Sequence, residues 1–221
     1  MAGSAIDLLL TDLDGVVRHF DRSVVDRLER DHDLEVGSLR REAFEHPRGH
    51  AAITGGVTRA EWIEQVGVAT GSPQAAREWL GITGTRWGRS DRDMVELIRG
   101  VRRAGVPVAV LTNGTDTIDA ELSSVGLTDA FDAVFCSWHL GQAKPDQEVF
   151  ERVCAVLEVD AGRVVFVDDS QANVEGARKA GLIAHTFTGV PAFRATLADL
   201  GLPLTDPPDP PQPPPDHHPN L

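Results

Sequence analysis

Cysteine, lysine and long apolar stretches are all scarce in this 221-residue chain. Its two cysteines, Cys136 and Cys154, cannot make a disulfide framework, which points to a reduced, cytosolic protein. No apolar run approaches the roughly 20 residues that a membrane span needs. Residues 1–10 show no basic stretch and no cleavage-like end, so no signal peptide is expected. Positive charge is short as well: 21 Lys+Arg stand against 34 Asp+Glu, a net charge of −13. That balance argues against an open nucleic-acid surface and against docking on anionic lipid. Lysine occurs only as Lys144 and Lys179; every other basic residue is arginine. No internal repeat is found.

What the chain does have is a 41% apolar fraction, close to the soluble average and enough for a core. Its charge is unevenly spread. Residues 17–90 hold 11 Arg and 11 Asp+Glu and sum to zero, whereas the rest is acidic. Apolar runs at 6–11, 106–111, 133–136, 163–167 and, more weakly, 182–186 are near-continuous, as in a parallel sheet covered on both faces. Between them lie helical spacings at 93–104, 117–125, 174–180 and in a segment whose first turn Pro145 suits. Strand alternating with helix is the pattern of a doubly wound α/β domain, here 1–16 with 91–202. Residues 17–90 show only helical spacings and are expected to form an all-α cap. Trp62, Trp79 and Trp87 are expected in its core. From Pro203 to Leu221 the chain is Pro-rich and acidic, a composition that stays extended and mobile.

In open α/β sheets, ligands bind beyond the carboxyl ends of the strands. The residues there are Asp12 and Asp14, Thr112 and Asn113, and Asp168 and Asp169, with Lys144 nearby. Four carboxylates around one lysine cannot all stay ionised without a further cation. Oxygen-only ligands favour a hard divalent ion, with Mg²⁺ the default. Thr112, Asn113 and Gly114 run toward a helix N-terminus, which suits phosphate oxygens. Metal, phosphate cradle, lysine and carboxylate together indicate phosphoryl transfer.

Asp12-Leu13-Asp14-Gly15, Thr112-Asn113-Gly114, Lys144-Pro145-Asp146 and Val167-Asp168-Asp169 fall in an order that resembles the haloacid dehalogenase superfamily. The helical insert after the first motif resembles its C1-capped subfamily. The resemblance implies a strand order of 3-2-1-4-5. It implies Asp12 as the nucleophile that becomes an aspartyl-phosphate, and Asp14 as the group that protonates the leaving oxygen and then activates water. It further implies that Thr112 and the following backbone hold the phosphoryl group, and that Lys144 bridges phosphate and Asp12. Mg²⁺ would rest on the Asp12 carboxylate, the Asp14 carbonyl and Asp169, with Asp168 acting through water. His46, Arg48 and His50, around Pro47 and Gly49, form a loop-like stretch of the cap that could meet the substrate.

The family's dehalogenases lack an acid at the Asp14 position and lack the paired Asp168 and Asp169, so phosphatase action on a small phosphorylated metabolite is favoured. A phosphomutase on the same machinery is the alternative. Phosphonate hydrolysis is disfavoured because the cap holds no lysine for a Schiff base. A non-catalytic binding protein of the same fold would be expected to show an incomplete motif set. A receiver domain would lack the insert.

Overall fold

The computed structural model describes residues 6–45, 47–81, 88–202 and 204. Strand β1 (Leu8–Thr11) leads to the short strand β2 (Arg18–Phe20) and then to α1 (Arg22–Asp31) and α2 (Ser38–Arg40). A π-helical turn (Arg41–Glu45), α3 (Pro47–Ile53), α4 (Arg59–Thr70), α5 (Pro73–Leu80) and strand β3 (Gly88–Ser90) follow. Then come α6 (Arg92–Arg103), β4 (Val108–Thr112), α7 (Ile118–Ser124), β5 (Ala133–Cys136), α8 (Ser137–Leu140) and α9 (Gln147–Leu157). The described chain closes with β6 (Val164–Asp168), α10 (Gln171–Lys179), β7 (Ile183–Thr186) and α11 (Val190–Asp199).

The main sheet is parallel in the order β5-β4-β1-β6-β7. Numbered among themselves along the chain, these strands read 3-2-1-4-5, the expected order. Strands β1, β4 and β6 are buried along their whole length, which is why their sequences are apolar without alternation. Successive side chains still point to opposite faces. Leu9, Val110 and Val165 pack toward Met94, Ile98 and Val101 of α6, and toward Phe193 and Leu197 of α11. Leu8, Leu10 and Phe166 pack toward Val149, Phe150 and Val153 of α9, and toward Val174 of α10. Each such fully buried side chain is worth about 1.5–3 kcal/mol.

Register fixes the functional edge. Thr11 of β1 lies opposite Val110 of β4 and Val167 of β6, so the chain leaves all three strands on one side of the sheet. The Asp12 amide then donates to the Val167 carbonyl at 2.9 Å. Asp12, Thr112 and Asp168 are thereby set side by side.

The segment between β2 and β3 has a core of its own, with Leu39, Ala52, Trp62, Ile63, Val66 and Leu80 among its buried members. Helix α4 opens on a capping box formed by Thr58 and Glu61 and stops at Gly71, a left-handed residue. An all-α insert was the expectation, yet β2 and β3 pair antiparallel at its base, Arg18 opposite Ser90. Three residues are too few to show a strand period. Pro145 is likewise not in a helical turn: α9 starts at Gln147 after the cap residue Asp146. Cys136 and Cys154 are free and buried. Among the described residues no helix is long and apolar enough to cross a membrane. Trp87, His46 and the Pro-rich segment other than Leu204 lie outside the described residues.

Candidate active site

Asp12 is anchored before it meets any ligand. Its Oδ1 accepts from the Leu13 amide at 2.7 Å and from Lys144 Nζ at 2.6 Å. The same ammonium donates to Asp168 Oδ2 at 2.7 Å. Asp168 Oδ1 in turn accepts from the Ser170 amide at 2.8 Å and from Asn173 Nδ2 at 3.0 Å. Lys144 is held by its backbone as well: Asn113 Nδ2 donates to the Lys144 carbonyl at 2.8 Å, and the Lys144 amide donates to Asn113 Oδ1 at 2.9 Å. The side chain of Asn113 therefore positions the lysine, and its backbone is what remains for a phosphoryl group.

Oxygens of Asp12, Asp168 and Asp169 lie within 4.8 Å of one another. Gly15 permits this approach. Its φ of 93° is left-handed, and a methyl group there would run into the Asp169 carboxylate. Burial lowers the Lys144 pKa, but Asp12 and Asp168 more than offset that and hold it above the ordinary value. Asp12 stands raised to about 7: burial pushes it up, Lys144 pulls it down, and Asp168 repels it upward again. Burial followed by Asp168 raises Asp169 too. One ammonium is too little charge for three converging carboxylates. The donor set is all oxygen, so the residues present fit a hard divalent cation such as Mg²⁺.

Asp14 sits at the head of an ionic chain that no sequence motif announces. Arg18 grips it with Nε to Oδ1 at 2.6 Å and Nη2 to Oδ2 at 3.0 Å. A tight turn makes this contact possible: the Gly15 amide donates to the Arg18 carbonyl, and the Arg18 amide to the Leu13 carbonyl, both at 2.7 Å. Arg18 Nη1 continues to Glu121 Oε2 at 2.8 Å. Glu121 Oε1 accepts from Thr117 Oγ1 at 2.9 Å and from Arg59 Nη1. Arg59 is the first residue of α4; its amide donates to Asp116 Oδ1 and its Nε to the Leu80 carbonyl, each at 2.7 Å. Arg18 is only 3% exposed.

A cavity of about 520 Å³ opens above these groups. Asp14, Gly15, Asn113, Gly114 and Asp169 line its floor, and Phe20, Val25, Phe44, Trp62 and Trp79 its wall. A depression of about 610 Å³ beside Arg99, Arg103 and Pro107 lies before the amino end of β4, the edge away from the carboxylates. Thr112 is buried at the end of β4, and the Gly114 amide donates to Ser137 Oγ at 3.2 Å. Two expected cap contacts are not brought in. Arg48 Nη1 pairs with Glu42 Oε2 at 2.6 Å, and His50 is exposed on α3; neither lines the cavity. Pro47 and Gly49 suggested a loop there, but Pro47 starts a helix, and Gly49 lies so close to the Ala43 carbonyl that a side chain would clash. Arg40, Phe44 and Arg59, which do line the cavity, carried no motif.

A family model described as haloacid dehalogenase-like hydrolase matches residues 6–181. The chain belongs to this family. Among its haloacid dehalogenase-like relatives, a sesquiterpene phosphatase of Aspergillus oryzae is 33% identical over 101 residues, 45% of this chain and 52% of that protein. A phosphatase of Mycobacterium tuberculosis is 38% identical over 86 residues, 38% of this chain and 40% of that protein. The chain thus matches about half or less of these relatives' length. A solved HAD family enzyme of Bacteroides thetaiotaomicron shares the fold with a TM-score of 0.70 and 20% identity, over 82% of this chain and 93% of that one. It has also been solved in complex with magnesium and inorganic phosphate.

Proposed function

We propose that this hydrolase is a Mg²⁺-dependent phosphatase that cleaves a small phosphorylated metabolite through an aspartyl-phosphate on Asp12. The observation that carries the reading is a buried, lysine-held Asp12 with an oxygen within 4.8 Å of one of Asp169, which lines the floor of the cavity together with Asp14. Phosphatase names among the relatives, and the magnesium and phosphate of the Bacteroides enzyme, support it. Residues 17–90 are proposed as the cap over a core made of 1–16 and 91–202.

In this reading an Asp12 oxygen attacks phosphorus and the bond to the leaving oxygen breaks. Lys144 neutralises Asp12 and the phosphoryl oxygens, while Thr112 and the Asn113 amide hold them; the Gly114 amide joins once it leaves Ser137. One Asp14 oxygen must turn off Arg18 toward the cavity and take up a proton from solvent, which Asp14 then gives to the leaving oxygen. It then takes a proton from the water that attacks phosphorus, releasing phosphate and regenerating Asp12. The Asp12 and Asp169 carboxylates and the Asp14 carbonyl would hold Mg²⁺, which supplies positive charge against the phosphoryl oxygens. Asp168, with both oxygens engaged, acts from behind. The presence of Asp14 and of paired Asp168 and Asp169 disfavours dehalogenation.

A panel of phosphorylated metabolites plus p-nitrophenyl phosphate, assayed with Mg²⁺, Ca²⁺ or EDTA, tests this. Turnover with Mg²⁺ alone is expected, and Asp12→Asn should lower it by roughly 10⁴-fold or more. Full turnover in EDTA would remove the metal; a folded protein that hydrolyses nothing in Mg²⁺ would refute the phosphatase.

A further inference from the structure

Phe20 and Phe44 are the only aromatic residues among the exposed large hydrophobics of the described chain, at 46% and 51% exposure, and both line the same cavity. Each has a guanidinium over its ring: Arg18 over Phe20 at 4.8 Å and Arg40 over Phe44 at 5.7 Å. Trp62 and Trp79 brace Phe44 edge-on, with ring centroids 5.6 and 5.8 Å away. Val25, Ile53 and Leu80 extend the apolar surface.

What that wall omits is as informative. Among the described residues that line the cavity between positions 18 and 80, none is Ser, Thr, Asn or Gln. Of the six titratable ones, four are engaged with the protein itself, Arg40 lies over Phe44, and Arg22 is exposed at the rim. Arg18 and Arg59 hold Glu121, His19 meets Asp91 at 3.2 Å, and Asp21 caps the Ser23 amide at 3.0 Å. On the floor, both polar atoms of the Asn113 side chain serve Lys144, and Thr115 Oγ1 lies 3.1 Å from Thr117 Oγ1. A polyhydroxylated leaving group would give up its water here for few hydrogen bonds, which is unfavourable. A flat apolar one would cover two exposed rings.

Resting on the phosphatase reading, we propose that the substrates are phosphate monoesters whose organic part is a flat, apolar, ring-containing group seated between Phe20 and Phe44, in preference to sugar or polyol phosphates. Phe20 and Phe44 are the residues that set this selectivity.

Benzyl phosphate and 2-naphthylmethyl phosphate can be compared with glucose 6-phosphate and glycerol 3-phosphate. All four release primary alcohols, so the demand on the chemistry is similar. The arylmethyl esters are expected to exceed the polyol esters by about tenfold or more in kcat/KM, an amount within reach of burying part of a ring. Phe20→Ala and Phe44→Ala should each erase most of that preference, through KM, and Phe44→Leu should retain part of it. Equal or better turnover of the polyol esters, or an unchanged preference in both alanine variants, would overturn the proposal. If p-nitrophenyl phosphate and all four esters are inert, the phosphatase reading fails, and binding decides the cavity separately. Quenching of tryptophan fluorescence, which Trp62 and Trp79 should report, would then be titrated with benzylphosphonate and with glucose 6-phosphate. Tighter binding of benzylphosphonate by about tenfold sustains the apolar seat, and equal or weaker binding overturns it.

Discussion

The floor and the wall of the cavity are built by opposite rules. On the floor and just beneath it, Asp168 is bonded at both oxygens, Asn113 at both ends of its amide, and Lys144 at both its ammonium and its backbone. Those groups are oriented before a ligand arrives, which is what electrostatic stabilisation of a transition state requires. The wall instead presents two half-exposed rings and the Arg40 guanidinium, tied by few internal bonds. The contrast suggests a division of labour in which reaction geometry is fixed by one region and preference by another. The run Asp14–Arg18–Glu121–Arg59 crosses between them through ion pairs.

The sharpest test of that division is Asp14→Asn, which alters proton transfer and leaves Asp12 in place. With an alkyl phosphate the first step should fall by roughly 10²–10⁴-fold, the usual worth of general acid–base catalysis. With p-nitrophenyl phosphate the first step should survive better, giving a pre-steady-state burst of phenolate and a label on Asp12 that hydroxylamine removes. Equal losses for both esters, with no burst, would make Asp14 part of the rigid floor only.

The ionic bridge is tested next. Glu121→Gln leaves Arg18 and Arg59 facing a neutral amide, and breaking a buried pair from one side costs about 3–5 kcal/mol. A clear drop in Tm is expected, with partial recovery when Arg59→Met removes the stranded cap charge. An unchanged Tm would mean that floor and wall are energetically independent. The smallest effect should come from Arg48→Ala. Arg48 is engaged by Glu42 outside the cavity, so KM should move less than about twofold, as for a surface pair worth under about 1 kcal/mol. A fivefold rise in KM would place α3 against the substrate.

These same regions differ in how far the sequence discloses them. Floor residues follow buried strands, and β1, β4 and β6 betray themselves as unbroken apolar runs, so Asp12, Thr112 and Asp168 could be located from their ends. Side-chain partners could not: nothing in Thr112-Asn113-Gly114 says that Asn113 turns to Lys144, 31 positions away. Wall residues come from β2, α1, α2, the π-helical turn, α3, α4 and α5, and each looks like core or surface until the segment folds. Trp62 shows why. It is 4% exposed and donates Nε1 to the Ala43 carbonyl at 3.2 Å, as a core residue should, yet it also borders the cavity. Helix α11 is not legible in the sequence because only Phe193 and Leu197 are buried in it, too few to make a periodic stripe.

The turn at Gly15 has a consequence for anyone who would redesign this protein. Because a side chain there meets both an unfavourable φ and the Asp169 carboxylate, the position links the spelling of the first motif to the placement of the fourth. A combinatorial library that randomised residues 13–18 and selected for turnover would tolerate change at several of them. At position 15 it should return glycine alone, whereas a second library at Phe20 and Phe44 should drift with whatever ester is supplied.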